Sequence, residues 1–362
     1  MTETPQSGVV ERLREEALAS PRLAATAAVL AVLLGIAFVT NPGLFVDQAI
    51  SGLVYGMILV LIALGLSLIL GLMNVVNFAH GALFMLGAYL AYQLVAVMNL
   101  PFFAALIVAP LLVGVVGAAI ELLALRRLYG QEPIVGLLAT FGLTLMLQEW
   151  IRYQWGSTPL SMEIPASLST TTNLGVTSVS TFRLFTVAVS TVAIVFVYYL
   201  VTNTDFGLTV RAGVQDAEMT EILGANLPIR FTATFILGAS IAGLGGVLRG
   251  AEVGLQPDMG ISFIIMTFIV VVVGGVGSIF GSVVAGLLIG WAILLTKPVL
   301  KGLSEVTQPV VQPVVDAAGL GMTIGPEWLV IPSVGGLVPF VVMIVVLLAR
   351  PRGLFGTEGF LE

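Results

Sequence analysis

The chain has 362 residues, of which 58% are apolar and only 9% are charged. Soluble domains carry about 25% charged residues, so this composition excludes a soluble domain and indicates a polytopic α-helical membrane protein. The lack of cysteine excludes disulfides and thiolate metal sites, and a single histidine excludes a multi-histidine metal site within the chain. A net charge of −6 argues against nucleic-acid binding.

The first 22 residues are polar and carry Arg12, Arg14 and Arg22. Residues 1–22 therefore predict a cytoplasmic amino-terminal tail with no cleavable signal peptide, because the first apolar run begins too late. The tail is interpreted as solvated, with a short surface helix as the alternative over Glu11-Arg-Leu-Arg-Glu-Glu16.

Residues 23–349 are predicted to form one transmembrane permease domain of about ten membrane segments, all helical. Several runs are shorter than the roughly 20 residues that a full span needs, so some segments are predicted to be short, broken or re-entrant. The apolar runs are Leu23–Val39, Ala49–Leu70, Val75–Met98, Phe102–Leu125, Ile134–Gln148, Phe182–Val201, Phe231–Leu248, Ile261–Phe280, Ser282–Leu295 and Val334–Ala349.

The stretch from Gly71 to Gly87 contains the only histidine and two amides inside apolar sequence. Polar side chains at bilayer depth are costly and usually face a cavity, a pathway or a partner helix. Asn74, Asn77 and His80 are spaced three residues apart and would share one helix face. One interpretation is that they line a translocation path near a broken helix, and the other is that they hold helices together. The candidate pathway residues are Asn74, Asn77, Phe78, His80 and Gly81.

A second glycine-rich stretch runs from Gly274 to Gly290. The apolar runs on either side are short, which favours two half-helices or a tight hairpin. The residues assigned to this membrane hairpin are Gly274, Gly275, Gly277, Ser278 and Gly281.

The polar connection at residues 202–230 is predicted to hold a short amphipathic helix on the cytoplasmic face. Asp216 can cap it, and Gly224 and Asn226 can end it before Pro228 begins the next segment. Its apolar stripe has little core of its own to cover, so it should meet another protein or the membrane surface. The stripe consists of Met219, Ile222 and Leu223.

Basic residues set the predicted orientation. Counting crossings from a cytoplasmic amino terminus places nine basic residues inside and five outside, with residues 350–362 as a cytoplasmic carboxyl-terminal tail. The outer set is Arg152, Arg183, Arg249, Lys297 and Lys301. The long connections Glu149–Thr181 and Lys297–Ser333 then fall outside, as covers, docking surfaces or plain loops.

The sequence lacks several motifs that are typical of ATP-binding proteins, hydrolases and ion channels. There is no P-loop for ATP, no serine-hydrolase elbow and no potassium-filter motif. Mid-membrane carboxylates, which proton-coupled transporters use, are scarce. The chain is therefore predicted to be a non-enzymatic membrane pathway that binds no cofactor itself.

Four motifs in order along the chain resemble the branched-chain amino-acid ABC transporter permeases, specifically the LivH-like subunit. They are Asn77-Phe-Ala-His-Gly81 with Met85-Leu-Gly-Ala-Tyr89, Arg211-Ala-Gly-Val-Gln-Asp-Ala-Glu-Met-Thr-Glu-Ile-Leu-Gly224, Gly274-Gly-Val-Gly-Ser-Ile-Phe-Gly281, and Arg350-Pro-Arg-Gly-Leu-Phe-Gly356. The resemblance implies the pore subunit of an ATP-driven importer in the cell membrane, using alternating access.

The resemblance also implies partners: a LivM-like second permease in a heterodimer (or a second copy in a homodimer), two cytoplasmic ABC ATPases that bind ATP and Mg²⁺, and an external solute-binding protein. It assigns ATPase coupling to Arg211, Gln215, Asp216, Met219, Ile222, Leu223 and Gly224. Related permeases carry urea or short amides and tend to read Asn-Met-Ala-His-Gly, so Phe78 favours branched-chain or other hydrophobic amino acids. A stand-alone secondary transporter or channel is the alternative from another class.

Overall fold

The computed structural model describes residues 21–73, 77–128, 131–173, 175–318, 322–331 and 333–356. All but the last two residues of the predicted amino-terminal tail lie outside this part, as do Asn74 and residues 357–362.

Helices account for most of the described chain. The helices are α1 Pro21–Thr40, α2 Pro42–Met73, α3 Ala79–Tyr92, α4 Phe102–Leu123, α5 Pro133–Trp155, α6 Thr181–Asn203, α7 Asp205–Gln215, α8 Ala217–Ile222, α9 Leu227–Val253, α10 Met259–Gly274, α11 Ile279–Ala317 and α12 Val334–Ala349. A π-helical turn at Gln93–Val97 lies between α3 and α4, and a 3₁₀ turn at Leu125–Leu128 follows α4. A hairpin of two three-residue strands, β1 (Thr171–Asn173) and β2 (Ser178–Ser180), precedes α6.

Seven helical segments in the described residues are long and apolar enough to cross a membrane. Three further apolar helices, Thr26–Thr40, Met259–Gly274 and Val334–Ala349, are shorter. Most of each predicted apolar run is helical, although Val75–Met98 starts before α3 and Ile261–Phe280 crosses the turn after α10. The predicted count of about ten spans is not confirmed. The reason is length, since a helix of 16 residues rises only about 24 Å, less than the roughly 30 Å of a hydrocarbon core.

Helix α2 lies at the centre of the bundle, and 89% of its most hydrophobic 18-residue stretch is buried by the rest of the protein. Glycines allow this packing because lipid gives apolar side chains no reason to associate, so close backbone contact must hold the helices together. A Cβ added to Gly290 of α11 would lie 2.5 Å from the Gly52 carbonyl oxygen of α2. A Cβ on Gly65 of α2 would lie 2.6 Å from the Gly238 oxygen of α9. Helices α2, α9 and α11 therefore form the core.

The two ends of the helix bundle differ in their polar contacts. At one end, here called the Arg183 end, Arg183 contacts Asp47 at 3.1 Å and Glu252 at 3.5 Å. At the other, the Arg126 end, Arg126 contacts Glu121 at 3.1 Å. Helix α9 runs from the Arg126 end, where its Pro228 carbonyl accepts a bond from Arg126, to the Arg183 end, which it reaches at Glu252.

The predicted inner and outer basic residues that the structure describes lie at different ends of the bundle. Arg126, Arg211 and Arg350 lie on elements that meet at the Arg126 end, whereas Arg152 and Lys301 lie towards the Arg183 end. Which end is cytoplasmic stays a prediction.

The half-helix Ser282–Leu295 is wrong, and the predicted loop Lys297–Ser333 is wrong as far as Ala317. Helix α11 continues from Ile279 to Ala317 as one 39-residue element with Pro298, Pro309 and Pro313 inside it. Proline disfavours helices in soluble proteins, but membrane helices tolerate it when neighbouring helices support the backbone. Helix α1 gives that support, since a Cβ on Gly302 would meet Ala37 and Thr40, and Asn41 donates to Glu305 at 2.9 Å.

Helix α7 and the β-hairpin were also missed. The prediction treated residues 202–230 as a polar connection with one short helix, but α7 occupies Asp205–Gln215 and α9 begins at Leu227. The signal for α7 was present, because Thr204 is its N-cap and accepts a bond from the Gly207 amide at 3.3 Å.

We expect Gly290→Val to destabilise the folded protein by at least about 1–3 kcal/mol, because the added methyl groups overlap the α2 backbone. The matched control is Gly142→Val on α5, where an added Cβ meets no atom within 4 Å among the described residues. Thermal unfolding of both purified variants in detergent measures the difference. Equal melting temperatures would contradict the packing described for α2 and α11.

Candidate functional site

The predicted pathway stretch surrounds the junction of α2 and α3 at the Arg126 end. Helix α2 ends at Met73, and α3 begins at Ala79 after a turn at Phe78. Asn74 lies outside the described residues. The prediction that Asn77 and His80 share the face of one helix is wrong, because Asn77 precedes α3. The broken or re-entrant helix stays a prediction, because residues 74–76, which join α2 to α3, lie outside the described part of the chain.

Asn77 is 1% exposed, yet neither its amide nitrogen nor its amide oxygen has a hydrogen-bond partner among the described residues. Unpaired buried amides are rare and costly. Next to it, the Phe78 amide donates to the Thr140 hydroxyl of α5 at 3.2 Å, and the Phe78 ring contacts Phe141 edge-on. Asn77 therefore offers free hydrogen-bonding groups where α3 starts beside α5.

His80 and Gly81 are packing residues. The His80 side chain is fully buried, and its Nε2 lies 3.1 Å from the Ile62 carbonyl oxygen of α2. A Cβ on Gly81 would lie 2.3 Å from the Gly260 oxygen of α10, so only glycine fits there. These two residues fix α3 against α2 and α10 and do not face an open path in this conformation.

Helix α5 carries its polar residues on its buried face. Thr140, Thr144 and Gln148 are at most 6% exposed, while its exposed face is apolar: Ile134, Leu138, Phe141, Leu145 and Met146. Both threonine hydroxyls donate to carbonyls of the preceding turn, but the Gln148 Oε1 has no partner among the described residues. A helix in lipid turns polar groups inward, so this face marks the protein interior.

Helices α3 and α5 run side by side in the same direction. Phe78 contacts Thr140 near the Arg126 end, and Gln93 accepts a bond from Trp155 at 2.9 Å near the Arg183 end. The polar residues between these two contacts form what we call the α3–α5 seam. It consists of Asn77, Tyr89, Thr140, Thr144 and Gln148, and sequence reasoning found only the first of them. The four-residue spacing of 140, 144 and 148 was the available signal.

The glycine-rich stretch forms a tight turn between α10 and α11, which is the hairpin alternative of the prediction. Gly275 and Gly277 have φ values of 101° and 77°, which disfavour other residues. Ser278 caps α11 by accepting from the Gly281 amide at 3.0 Å, and a Cβ on Gly274 would lie 2.5 Å from Gly281. The carboxyl-terminal segment of the chain is fixed to this turn, since the Phe355 amide donates to the Gly274 carbonyl at 3.0 Å.

The predicted coupling helix is present as α8. Asp216 is its N-cap and accepts from the Met219 amide at 2.9 Å, and Gly224 ends it with a φ of 91°. Asn226 does not end α8 but caps α9, accepting from the Ile229 amide at 3.3 Å. Arg211 and Gln215 lie on α7. The stripe is open to its surroundings, with Met219, Ile222 and Leu223 exposed by 52%, 71% and 81%.

A buried carboxylate connects the start of α9 to α4. Glu121 is fully buried and pairs with Arg126, and the Thr232 hydroxyl of α9 bonds to both side chains. Because α8 leads directly into α9, these contacts connect α8 to α4 through α9. The sequence signal was a glutamate inside an apolar run five residues before an arginine.

Comparison with known proteins identifies the family. Residues 48–347 match the family described as the branched-chain amino acid transport system permease component. The chain belongs to this family. It is 30% identical over 262 residues to the Pseudomonas aeruginosa high-affinity branched-chain amino acid transport system permease protein BraD, covering 68% of this chain and 85% of that protein.

Other members give the same result. The Escherichia coli K12 high-affinity permease LivH is 27% identical over 271 residues, which is 71% of this chain and 87% of LivH. The probable LivH permease of Methanocaldococcus jannaschii is 27% identical over 318 residues, or 85% and 91%. No solved structure matches the chain. The protein is therefore a membrane permease of the branched-chain amino acid transport family.

We expect His80→Ala to lower stability by about 2–4 kcal/mol, because it leaves a cavity between α2 and α3 and removes the bond to Ile62. Asn77→Ala, equally buried but without a described partner, should cost at most about 1 kcal/mol. Thermal unfolding in detergent compares them. If Asn77→Ala were the more destabilising variant, the assignment of His80 to packing would be wrong.

Proposed function

We propose that this chain is a pore subunit of an ATP-driven importer for branched-chain or other hydrophobic amino acids. The Arg126 end would face the cytoplasm, with both termini there. The chain would pair with a LivM-like second permease, or with a second copy of itself, and would receive substrate from an external binding protein. Two separate ATPase subunits would bind ATP and Mg²⁺ and hydrolyse the nucleotide.

The exposed stripe on α8 is the observation that carries this proposal. Three apolar side chains on a short capped helix project from the Arg126 end without intramolecular cover in the described chain. An exposed apolar face of this kind is stable only against another protein or a membrane surface. An ATPase groove is the partner that a permease of this family needs, since the chain has no ATP-binding motif of its own.

The mechanism is alternating access. Closure of the ATPases on ATP would move α8, and the rigid connection through α9 to Glu121 and Arg126 would carry that movement into α4. The α3–α5 seam would line the path, with Asn77 exchanging hydrogen bonds with the passing amino acid near the cytoplasmic side. The Asn77 amide is available for this because no described residue binds it.

Reconstitution tests the proposed function. The permease, its partner permease and both ATPases are placed in liposomes, and leucine uptake is measured with ATP and binding protein. We expect uptake that requires ATP and is not inhibited by urea or acetamide. Uptake driven by an ion gradient by the isolated chain would overturn the proposal in favour of a secondary transporter, and inhibition by urea would reassign the substrate.

We expect Leu223→Asp to abolish coupling. A carboxylate in a desolvated groove that cannot reach water costs several kcal/mol, which corresponds to an at least roughly 100-fold loss of ATPase binding. The control is Leu208→Asp on α7, which is similarly exposed but lies outside the stripe. ATPase co-purification and substrate-stimulated hydrolysis are measured. Unchanged binding and stimulation in Leu223→Asp would show that the stripe does not dock the ATPase.

We also expect Asn77→Ala to reduce uptake several-fold without lowering the melting temperature, since the side chain donates no bond to the described fold. Asn77→Cys in this cysteine-free chain should react with a small polar thiol reagent in at least one nucleotide state. A cysteine that stays inert in every nucleotide state, together with an alanine variant that loses only stability, would contradict a place on the path.

A further inference from the structure

A polar cavity of about 610 Å³ opens at the Arg183 end of the bundle. This volume is within the range of about 300–1,000 Å³ that is typical of small-molecule sites. Acidic, basic, neutral polar and proline side chains line the cavity. They are Glu149, Arg152, Ser157, Pro159, Gln256, Pro257 and Asp258. A cavity lined by both charges suits a ligand that itself carries both.

The cavity is held by backbone pairing between two connections. Leu160, in the segment after α5, exchanges hydrogen bonds of 3.1 and 2.8 Å with Leu255, in the segment after α9. Met162 is buried beneath this bridge. The bridge joins the two connections that follow the Arg152 helix and precede Asp258, and both residues line the cavity. The long connection after α5, predicted as a cover or docking surface, therefore forms one wall of a cavity.

Unpaired polar groups lie directly below the cavity. The Tyr89 side chain is fully buried, its hydroxyl has no hydrogen-bond partner among the described residues, and its ring lies 5.4 Å from the Trp155 ring at the end of α5. Gln148, one helical turn before Arg152 on α5, is 6% exposed with an equally unpaired Oε1. Buried polar groups without partners are costly, and a polar ligand that passes them removes the cost.

These groups place the cavity at one end of the α3–α5 seam. Below Gln148 the seam continues through Thr144 and Thr140 to Asn77 at the Arg126 end. The charged cavity, the unpaired tyrosine and glutamine, and the unpaired asparagine therefore follow one another along two parallel helices. Such a series has the order expected of an entry site above a path.

We propose that the cavity binds the zwitterionic head group of the amino acid on entry, with Arg152 on the carboxylate and Asp258 on the ammonium group. Arg152 suits this role because a guanidinium presents five donors, and among the described residues only its Nη1 is engaged, by Glu149 at 2.5 Å. Tyr89 and Gln148 are the first groups to receive the amino acid as it moves inward. This inference rests on the proposed function and names where that function selects for zwitterions.

Cysteine protection tests the site. Ser157→Cys in the otherwise cysteine-free chain is assembled with its partner subunits in lipid nanodiscs, without binding protein, and labelled with a polar maleimide. We expect L-leucine at ten times its dissociation constant to slow labelling about tenfold. 4-Methylpentanoate, which lacks the ammonium group, and 3-methylbutylamine, which lacks the carboxylate, should not protect at that concentration. Thr172→Cys on the exposed β-hairpin is the control and should label at one rate throughout.

Charge-neutral variants give the second measurement. In the Ser157→Cys background, Arg152→Gln and Asp258→Asn should each weaken leucine protection about 10- to 100-fold while leaving the melting temperature unchanged. Both side chains are partly open to solvent, so neither change buries an unpaired charge. Gln256→Cys, on the other wall, repeats the experiment should the first cysteine lower expression.

Two outcomes would overturn the inference: no protection by leucine, or equal protection by either fragment. ATP-driven leucine uptake by the unmodified complex is measured in parallel. Uptake without protection rejects the entry site and keeps the proposed function, whereas absence of ATP-driven uptake rejects the proposed function itself.

Discussion

The structure depends on close backbone contact around α2. Lipid is as apolar as leucine, so burying apolar side chains does not by itself bring membrane helices together. Glycines at Gly52, Gly56 and Gly65 let α11 and α9 approach within van der Waals distance of the α2 backbone. His80, also packed against Gly65, then fixes the start of α3 to the same helix. The remaining helices pack onto this core or stand towards lipid.

The same constraint explains where the polar side chains lie. A helix with lipid on one side must turn its hydroxyl and amide groups inward, as α5 does with Thr140, Thr144 and Gln148. The threonine hydroxyls donate hydrogen bonds to carbonyl groups of their own helix, so they can be buried without another polar partner. Asn77, Tyr89 and Gln148 retain unpaired atoms, as do His80 and Ser190.

The two ends of the bundle are built for different contacts. The Arg126 end combines the start of α3, a glycine turn fixed by the carboxyl-terminal chain, and an exposed apolar helix. The Arg183 end combines ion pairs among Asp47, Arg183 and Glu252 with a charged cavity. A permease that would bind a zwitterion at one end and an ATPase at the other requires different surfaces at its two ends. The proposed importer mechanism uses both ends, with α9 spanning the distance between them.

The sequence by itself determined the membrane class, the family and several features that depend on local chemistry, although the Thr204 cap of α7 was missed. Asp216 as a cap, Gly224 as a stop and the glycine turn at Gly275 follow from backbone rules that act within a few residues. Tertiary structure decided the rest. Helix α11 runs through three prolines and packs against α1, so the predicted outer loop is helical as far as Ala317. The α3–α5 seam and the cavity join residues more than 50 positions apart, such as Gln93 with Trp155, and no local pattern specifies which helices become neighbours.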